Sequence, residues 1–128
     1  MAYLDDTVLD DGLDAGIAAK ATATNLDVHI CSEEPVDYTG ASTTYTLGNK
    51  ADVTVTGPTA GDASGRKVTI DAITGGSVTG SDTATHWALV DTDATLLVAA
   101  QSLSAPQAVT SGNTFSLAAF DIELIDPA

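Results

Sequence analysis

The chain has 128 residues and a mass of 12.9 kDa, which suffices for one hydrophobic core and is short for two domains. Its 18 acidic residues outnumber 4 basic ones, and the formal charge of -14 disfavours nucleic acid and anionic membranes as partners, since both are bound through Lys and Arg. One cysteine excludes an intrachain disulfide, and two histidines cannot complete the usual closed Cys/His zinc site. We therefore predict one domain over residues 1–128, with an N-terminal helix and linker at 1–24 and a β-sandwich at 25–128.

The N-terminal segment has the pattern of an amphipathic helix. Aspartates near its start and Lys20 near its end suit the two ends of a helix dipole. We expect its apolar face to be buried against the sheet of the same chain, or against a neighbouring subunit if the helix serves assembly. The residues of this face recur three to five positions apart, at Leu4, Val8, Leu9, Leu13 and Ile17.

From Leu26 onward the hydrophobic period changes from 3.6 to 2, which indicates β-strands. About eight short strands separated by turn residues predict an all-β, antiparallel β-sandwich rather than an α/β enzyme fold. The predicted strands cover residues 26–31, 43–47, 51–56, 67–72, 77–80, 83–91, 95–100, 107–110 and 114–125. The predicted turns and loops cover residues 48–50, 57–65, 75–76, 91–93 and 111–113.

Two of these strands are predicted to lie at the centre of a sheet, because both of their faces carry apolar groups. Strand 95–100, TLLVAA, is apolar along nearly its whole length. Strand 83–91 presents two large residues on one face and three smaller ones on the other, Trp87 and Leu89 against Ala84, Ala88 and Val90. Both strands are therefore expected to be buried on both faces.

The segment LDVHICSEEP holds the only cysteine and one of the two histidines. His29 and Cys31 fall on one face of the predicted strand, with Cβ atoms about 7 Å apart. This distance is too long for the direct hydrogen bond that joins a nucleophile to its base. A zinc deaminase needs Glu two residues after the histidine and a later P-C-x-x-C, and neither is present. We interpret Cys31 as a small hydrophobic residue of a structural strand. Its replacement by Ala or Ser should be tolerated, whereas Ile30→Asp should prevent folding if the Ile30 face is buried.

Residues 91–93, Asp-Thr-Asp, begin like a calcium-binding loop. Such a loop also needs an acidic ligand, a glycine and a glutamate at its fifth, sixth and twelfth positions. Those positions hold Thr95, Leu96 and Ser102. The pattern therefore favours a turn.

The remaining candidates also fall short of a functional motif. In Gly61–Lys67 three residues separate the glycines and Val68 follows the lysine, whereas a phosphate loop needs four residues and then Ser or Thr. No serine lies in a G-x-S-x-G motif. His86 beside Trp87 is interpreted as part of a core strand, and the aromatic residues are too scattered for a ligand-stacking platform. The sequence thus predicts no catalytic, cofactor-binding or metal-ligating residue.

Three stretches together carry a resemblance to a known class of proteins. They are DVHICSEEPVDYTGASTTYTLGNK, GDASGRKVTIDAITGGSVTGSDTATHWALVD and QAVTSGNTFSLAAFDIEL. These strand and turn phrases resemble small virion proteins encoded among the head and tail genes of tailed bacteriophages and prophages, over nearly the whole chain. Such proteins typically have no catalytic residues, so the resemblance implies none here.

The resemblance implies a non-enzymatic capsid decoration or cement protein that is made in the host cytoplasm and resides in the virion. Its expected partners are the major capsid protein or other virion proteins and further copies of itself, with a trimer favoured. One alternative is a tail, neck or fibre-associated virion protein. Another is a carbohydrate-binding adhesion module, in which loops 39–44 and 59–64 supply hydroxyls and acids and calcium bridges Asp62 or Asp91.

Overall fold

The structure is a computed structural model that describes residues 6–126. An N-terminal helical segment leads into strands that form two antiparallel sheets. The predicted all-β class and sandwich-like architecture are confirmed. The strands are β1 Leu26–Cys31, β2 Thr46–Lys50, β3 Val55–Ala60, β4 Arg66–Ile70, β5 Ile73–Val78, β6 Asp82–Asp91, β7 Leu96–Val109, β8 Thr114–Leu117 and β9 Phe120–Leu124. Six strands form the larger sheet in the order β7-β6-β1-β2-β5-β8, and the smaller sheet has the order β3-β4-β9.

The helical segment comprises α1 (Asp6–Leu13), a π-helical stretch (Asp14–Ala18) and α2 (Ala19–Thr22). Its apolar face is buried in the core of its own chain through Leu9, Leu13 and Ile17. The first stretch packs against β4, and the π-helical stretch packs against β3. Leu4 lies outside the described residues, and the side chain of Val8 is not described. The observed part of this face therefore packs on its own strands.

Two ion pairs fix the helical segment to both sheets. Asp10 of α1 accepts a hydrogen bond from Nε of Arg66 on β4, over 2.6 Å. Lys20 of α2 lies 3.3 Å from the carboxylate of Asp91 at the end of β6. Since β4 and β6 belong to different sheets, the helical segment bridges the two layers.

The main core lies between the two sheets. The alternation predicted for β1 is observed: Leu26, Val28 and Ile30 point into this core and are at most 2% exposed. Val68 and Ile70 of β4 meet them from the smaller sheet and are fully buried. Burying side chains of this size stabilises the fold by about 1.5–3 kcal/mol each.

The outer face of the larger sheet is also covered, by the connection between β1 and β2. This connection contains a π-helical turn at Gly40–Thr44 and is anchored where the Ser32 amide donates to the Tyr45 carbonyl over 3.0 Å. A second apolar cluster forms beneath it. Its buried members are Cys31, Ala41, Ala88 and Val90, with Tyr38, Tyr45, Leu97 and Ala100 packed around them.

Two glycine-containing turns were predicted wrongly, because the glycines serve close packing between strands. Gly48 lies inside β2 opposite Val78, and a Cβ atom there would overlap the Ser77 backbone carbonyl. Gly76 lies inside β5 opposite Phe115, whose ring occupies the space that a Cβ would need. The strand predicted to begin at residue 43 begins at Thr46, after the π-helical turn. Glycine in these strands therefore marks close approach and not a change of direction.

Several strand boundaries also differ from the prediction. The predicted stop at residues 57–58 is instead an irregularity inside β3, which continues to Ala60 with a cis peptide bond before Pro58. The predicted strands 95–100 and 107–110 are one strand, β7, which lies at the edge of its sheet. Leu96 is 54% exposed, so the prediction that 95–100 is buried on both faces was wrong. The predicted strand 114–125 is divided at residues 118–119, where the chain crosses from the larger sheet to the smaller one.

β6 is central as predicted, but one of its residues faces the other way. Trp87 and Leu89 belong to the main core, and Ala88 and Val90 to the outer cluster. Ala84 was expected beside Ala88, yet it lies in the main core. The register between β6 and β7 shifts between Ala84 and His86, where residues 103–106 of β7 stand opposite Thr85 alone, so the regular pairing of His86–Asp91 does not extend to Ala84.

Candidate functional site

The first candidate pair, His29 and Cys31, is packed beneath the β1–β2 connection. Burial raises the pKa of the Cys31 thiol to about 11, and its Sγ lies 3.6 Å from the Ala41 carbonyl oxygen. Burial lowers the pKa of His29, and the nearby charge of Asp27 only partly opposes this. The His29 Nδ1 atom lies 2.8 Å from Oγ1 of Thr46. At neutral pH Cys31 is therefore a thiol and not the thiolate that a nucleophilic or metal-binding cysteine needs.

A second arrangement, which the sequence did not indicate, lies on the outer face of β6 and β7. Ser102 stands opposite His86, and its Oγ lies 3.3 Å from the imidazole Nε2. The other ring nitrogen, Nδ1, lies 2.9 Å from Oγ1 of Thr85. His86 was interpreted as part of the core strand with Trp87, but it is only half-buried and bonds to these hydroxyls instead.

The hydrogen bonds around Thr85 determine how this arrangement is protonated. The Thr85 hydroxyl has one proton, which it donates to the Ser32 carbonyl over 2.9 Å. It must therefore accept from Nδ1–H of His86, which leaves Nε2 to accept from Ser102. The order of nucleophile, base and orienting group is that of a hydrolase. The orienting group here is a neutral hydroxyl, however, and supplies no negative charge to stabilise an imidazolium.

The carboxylate of Asp91, one of the proposed calcium ligands, has hydrogen-bond and ion-pair partners within the fold on both of its oxygens. Its Oδ1 accepts hydrogen bonds from the backbone amides of Asp93 and Ala94, over 3.0 and 3.1 Å, and its Oδ2 pairs with Lys20. Burial alone would raise the pKa of Asp91, but the amide of Ala94, the ammonium of Lys20 and the amide of Asp93 together hold it below its usual value. The predicted turn after Asp91 is confirmed.

Replacing Asp91 with Asn should lower the free energy of unfolding at pH 7 by about 1.5–3 kcal/mol, the usual value of hydrogen bonds to a charged group. Because the folded-state pKa lies below 3.8, the carboxylate stabilises the fold above that pH and loses its contribution as the pH falls through the folded value. The difference from the wild type should therefore shrink as the pH falls below 3.8. Urea unfolding at pH 7 and at pH 2.5 measures both effects. Asp93→Asn removes an exposed carboxylate of the same turn and is the matched control.

The adjacent basic pair does not form an anion site. Arg66 pairs with Asp10, and the Lys67 ammonium lies 2.7 Å from Asp62 and 3.0 Å from Asp121. The hydrogen bonds to Asp62 and Asp121 raise the pKa of Lys67, and the hydrogen bonds from Thr69 and then Lys67 lower the pKa of Asp121. Arg66 and Lys67 therefore form ion pairs that connect strands and loops of the fold. The Asp62 carboxylate, the other proposed calcium ligand, is part of one of these pairs.

Residues 6–126 contain no group of three or more His, Cys, Asp or Glu side chains placed to hold a metal ion. The same residues include no helix long and apolar enough to cross a membrane.

A groove lies between the two edge strands of the larger sheet, and we call it the β7–β8 groove. One cavity of about 250 Å³ lies between residues 107–109 of β7 and 114–117 of β8. A second of about 290 Å³ lies between residues 102–104 and 117–120. Leu103 and Leu117 border both cavities, so the two lie side by side. Phe115 lines the first, and the stacked rings of Trp87 and Phe120 line the second.

The β7–β8 groove is uncharged in a strongly acidic protein. Residues 94–120 contain no Asp, Glu, Lys or Arg, and this run includes all of β7 and β8. The few groove residues outside the run, at positions 30, 84 and 87, are uncharged too. Sequence reasoning missed this groove, although the long uncharged run was the signal that could have indicated it. Comparisons with protein-family models, curated proteins and solved structures found no match.

Proposed function

We propose that the protein is a non-enzymatic structural component of a tailed-phage particle, a capsid decoration or cement protein that packs on the major capsid protein. The observation that carries the proposal is the concentration of uncharged residues, 94–120, at both edges of one sheet of an otherwise acidic molecule. The resemblance of the strand and turn phrases to small phage virion proteins supports the same function.

The charge distribution suits a protein that is separate in solution and packed in an assembly. A formal charge of -14 keeps free copies apart at long range, but screening limits this repulsion to about 8 Å at physiological salt. Contacts made by the uncharged edge are not opposed by that repulsion. When a symmetric particle repeats a modest interface many times, the small stabilisation per copy adds up.

Mass spectrometry and cryo-electron microscopy of purified particles test the proposal. We expect the protein in the particle, as additional density on the head, in copy numbers that follow capsid symmetry, with a trimer favoured as the repeating unit. Its absence from purified particles would contradict the proposal. A single ring or a handful of copies would identify the alternative, a tail, neck or fibre-associated protein.

The carbohydrate-binding alternative receives less support from the geometry. The two loops proposed for it, 39–44 and 59–64, lie on different layers: the first covers the outer face of the larger sheet, and the second joins β3 to β4. Both proposed calcium ligands, Asp62 and Asp91, are paired with lysines. A glycan array and calorimetry with calcium should both show no binding, and saturable binding in either would favour the adhesion module.

The Ser102–His86 pair gives a direct test of the non-enzymatic assignment. We expect no covalent labelling of Ser102 by a fluorophosphonate, because its base lacks a charged orienting partner. Intact-mass spectrometry after incubation measures the labelling, with Ser102→Ala as the control for reaction at other hydroxyls. Stoichiometric labelling that Ser102→Ala abolishes would establish a nucleophilic serine and overturn the assignment.

A further inference from the structure

The β7–β8 groove is bordered by the backbones of two edge strands. Successive side chains of a strand point to opposite faces, so consecutive residues border one cavity together only if the strand's edge faces it. Residues 107–109 of β7 and 114–117 of β8 are such consecutive sets. β7 pairs only with β6 in its sheet, and β8 only with β5, so each has one edge without a partner strand in the described chain. Edges of this kind present amide and carbonyl groups that can bind another strand.

The connection between β7 and β8 is held in place, so that the groove is a feature of the folded chain. The Gly112 amide donates to the Val78 carbonyl over 2.9 Å, and the Val78 amide donates to the Asn113 carbonyl over 3.0 Å. The Ser111 amide donates to the Ser81 hydroxyl over 2.9 Å. β7 and β8 are thus joined by an anchored turn and yet lie at opposite ends of the sheet order.

Size and charge limit what can occupy the groove. The two cavities, of about 250 and 290 Å³, are local depressions and not an extended surface for another globular domain. Those volumes suit a few side chains of an extended segment. An acidic segment would be repelled by the charge of the molecule, and a basic one would find no carboxylate among the groove residues.

We infer that the β7–β8 groove binds an extended, uncharged segment of a neighbouring polypeptide, as an added strand along the free edge of β8 with alternate apolar side chains in the two cavities. In the particle this inference rests on the proposed function, because the neighbour would be another virion protein. Its chemical basis is independent of the particle and is tested on the isolated protein.

The first test uses the blocked peptide acetyl-Val-Thr-Val-Thr-Val-Thr-amide. Trp87 is the only tryptophan and lines the groove, so its fluorescence reports occupancy. We expect a saturable change in that fluorescence, with amide chemical-shift changes confined to residues 102–109 and 114–120. A peptide with Asp in place of each Thr should bind at least about tenfold more weakly.

Two variants of equal charge show whether the groove is the site. Ser116 is an exposed hydroxyl residue that lines the groove, and Thr43 is an exposed hydroxyl residue on the opposite, outer layer. Ser116→Arg should weaken binding of the Val-Thr peptide by about tenfold or more, and Thr43→Arg should leave it unchanged. Circular dichroism of both variants should match the wild type, which separates lost binding from lost folding.

Several outcomes would overturn the inference. These are no saturable change, shifts outside the groove, equal binding of the acidic peptide, and equal binding to Ser116→Arg. Self-association that Ser116→Arg abolishes, measured by analytical ultracentrifugation, would show that a second copy is the occupant instead.

The particle provides a separate test. A benzophenone attached to Ser116→Cys, in a Cys31→Ala background, should cross-link to an uncharged segment of a neighbouring virion protein, identified by mass spectrometry. Absence of the protein from particles would contradict the proposed function and leave the peptide titration to decide the inference. Presence in particles with no cross-link from residue 116 would contradict the inference alone.

Discussion

Ile30→Asp is expected to abolish folding. Ile30 is 2% exposed and lies in the main core, between Trp87 on β6 and Gly48 on β2. The substitution loses about 1.5–3 kcal/mol of apolar burial and places a carboxyl group among the apolar side chains of the main core, which adds several kcal/mol even if the group is protonated. The sum is comparable to the whole stability of a small domain, about 5–15 kcal/mol. Far-ultraviolet circular dichroism and the dispersion of amide resonances should both show an unfolded chain.

Cys31→Ala is the matched control for that experiment. Cys31 is the next residue of β1 and is fully buried, but it faces the outer cluster instead of the main core. Removing its sulfur should lower the free energy of unfolding by only about 1 kcal/mol, and the protein should remain folded. A folded Ile30→Asp protein, or an unfolded Cys31→Ala protein, would contradict the assignment of the two faces of β1.

The sequence predicts β1 well because its alternating pattern identifies the residues on each of the two faces of the strand. Strict alternation from Leu26 to Ile30 identifies the core face, and the one-residue offset places His29 and Cys31 on the other face. The second face is buried only because the β1–β2 connection folds back over it, which is a tertiary fact without a local signal. The burial of Cys31 and His29 is therefore known from the structure and could not be predicted from the local sequence.

Other features could not be predicted because they depend on which strands become neighbours. Residues 103–106 form a bulge in β7 opposite Thr85 alone, and Pro106 is accommodated there because an edge strand tolerates a missing amide hydrogen. This shift in register sets Ser102 against His86 and turns Ala84 into the core. Gly48, Pro58 and Gly76 were interpreted as turn or loop residues from their local preferences, whereas the structure places them inside β2, β3 and β5.

The same dependence on tertiary structure explains why the groove was missed. Residues 94–120 are continuous in sequence, but their two strands occupy opposite edges of a six-stranded sheet and meet again only across the groove. A lack of charge is visible in the sequence, whereas two facing strand edges are not. The groove proposed to bind a neighbouring segment is therefore made of strand edges and uncharged side chains, which no motif describes.

Trp87→Ala is expected to lower the free energy of unfolding by about 3–5 kcal/mol, as is usual when a large buried aromatic residue is removed. Trp87 is 7% exposed and stacks on Phe120, with ring centroids 4.0 Å apart and ring planes inclined by 26°. Trp87 belongs to the larger sheet and Phe120 begins β9 of the smaller one, so the substitution removes a direct contact between the two layers. Urea unfolding followed by circular dichroism measures the change, since the variant has no tryptophan fluorescence.

Trp87→Phe separates the loss of the ring contact from the loss of volume. A phenyl ring can still stack on Phe120, so this variant should lose only about 1–2 kcal/mol. If Trp87→Ala were as stable as Trp87→Phe, the stacked pair would not hold the sheets together, and the packing of the helical segment and of Val68 and Ile70 would have to supply that contact instead. If the two variants differ as expected, the stacked rings of Trp87 and Phe120, which line the β7–β8 groove, also hold the two sheets together. A segment bound in the groove would then rest on one of the most strongly packed parts of the molecule.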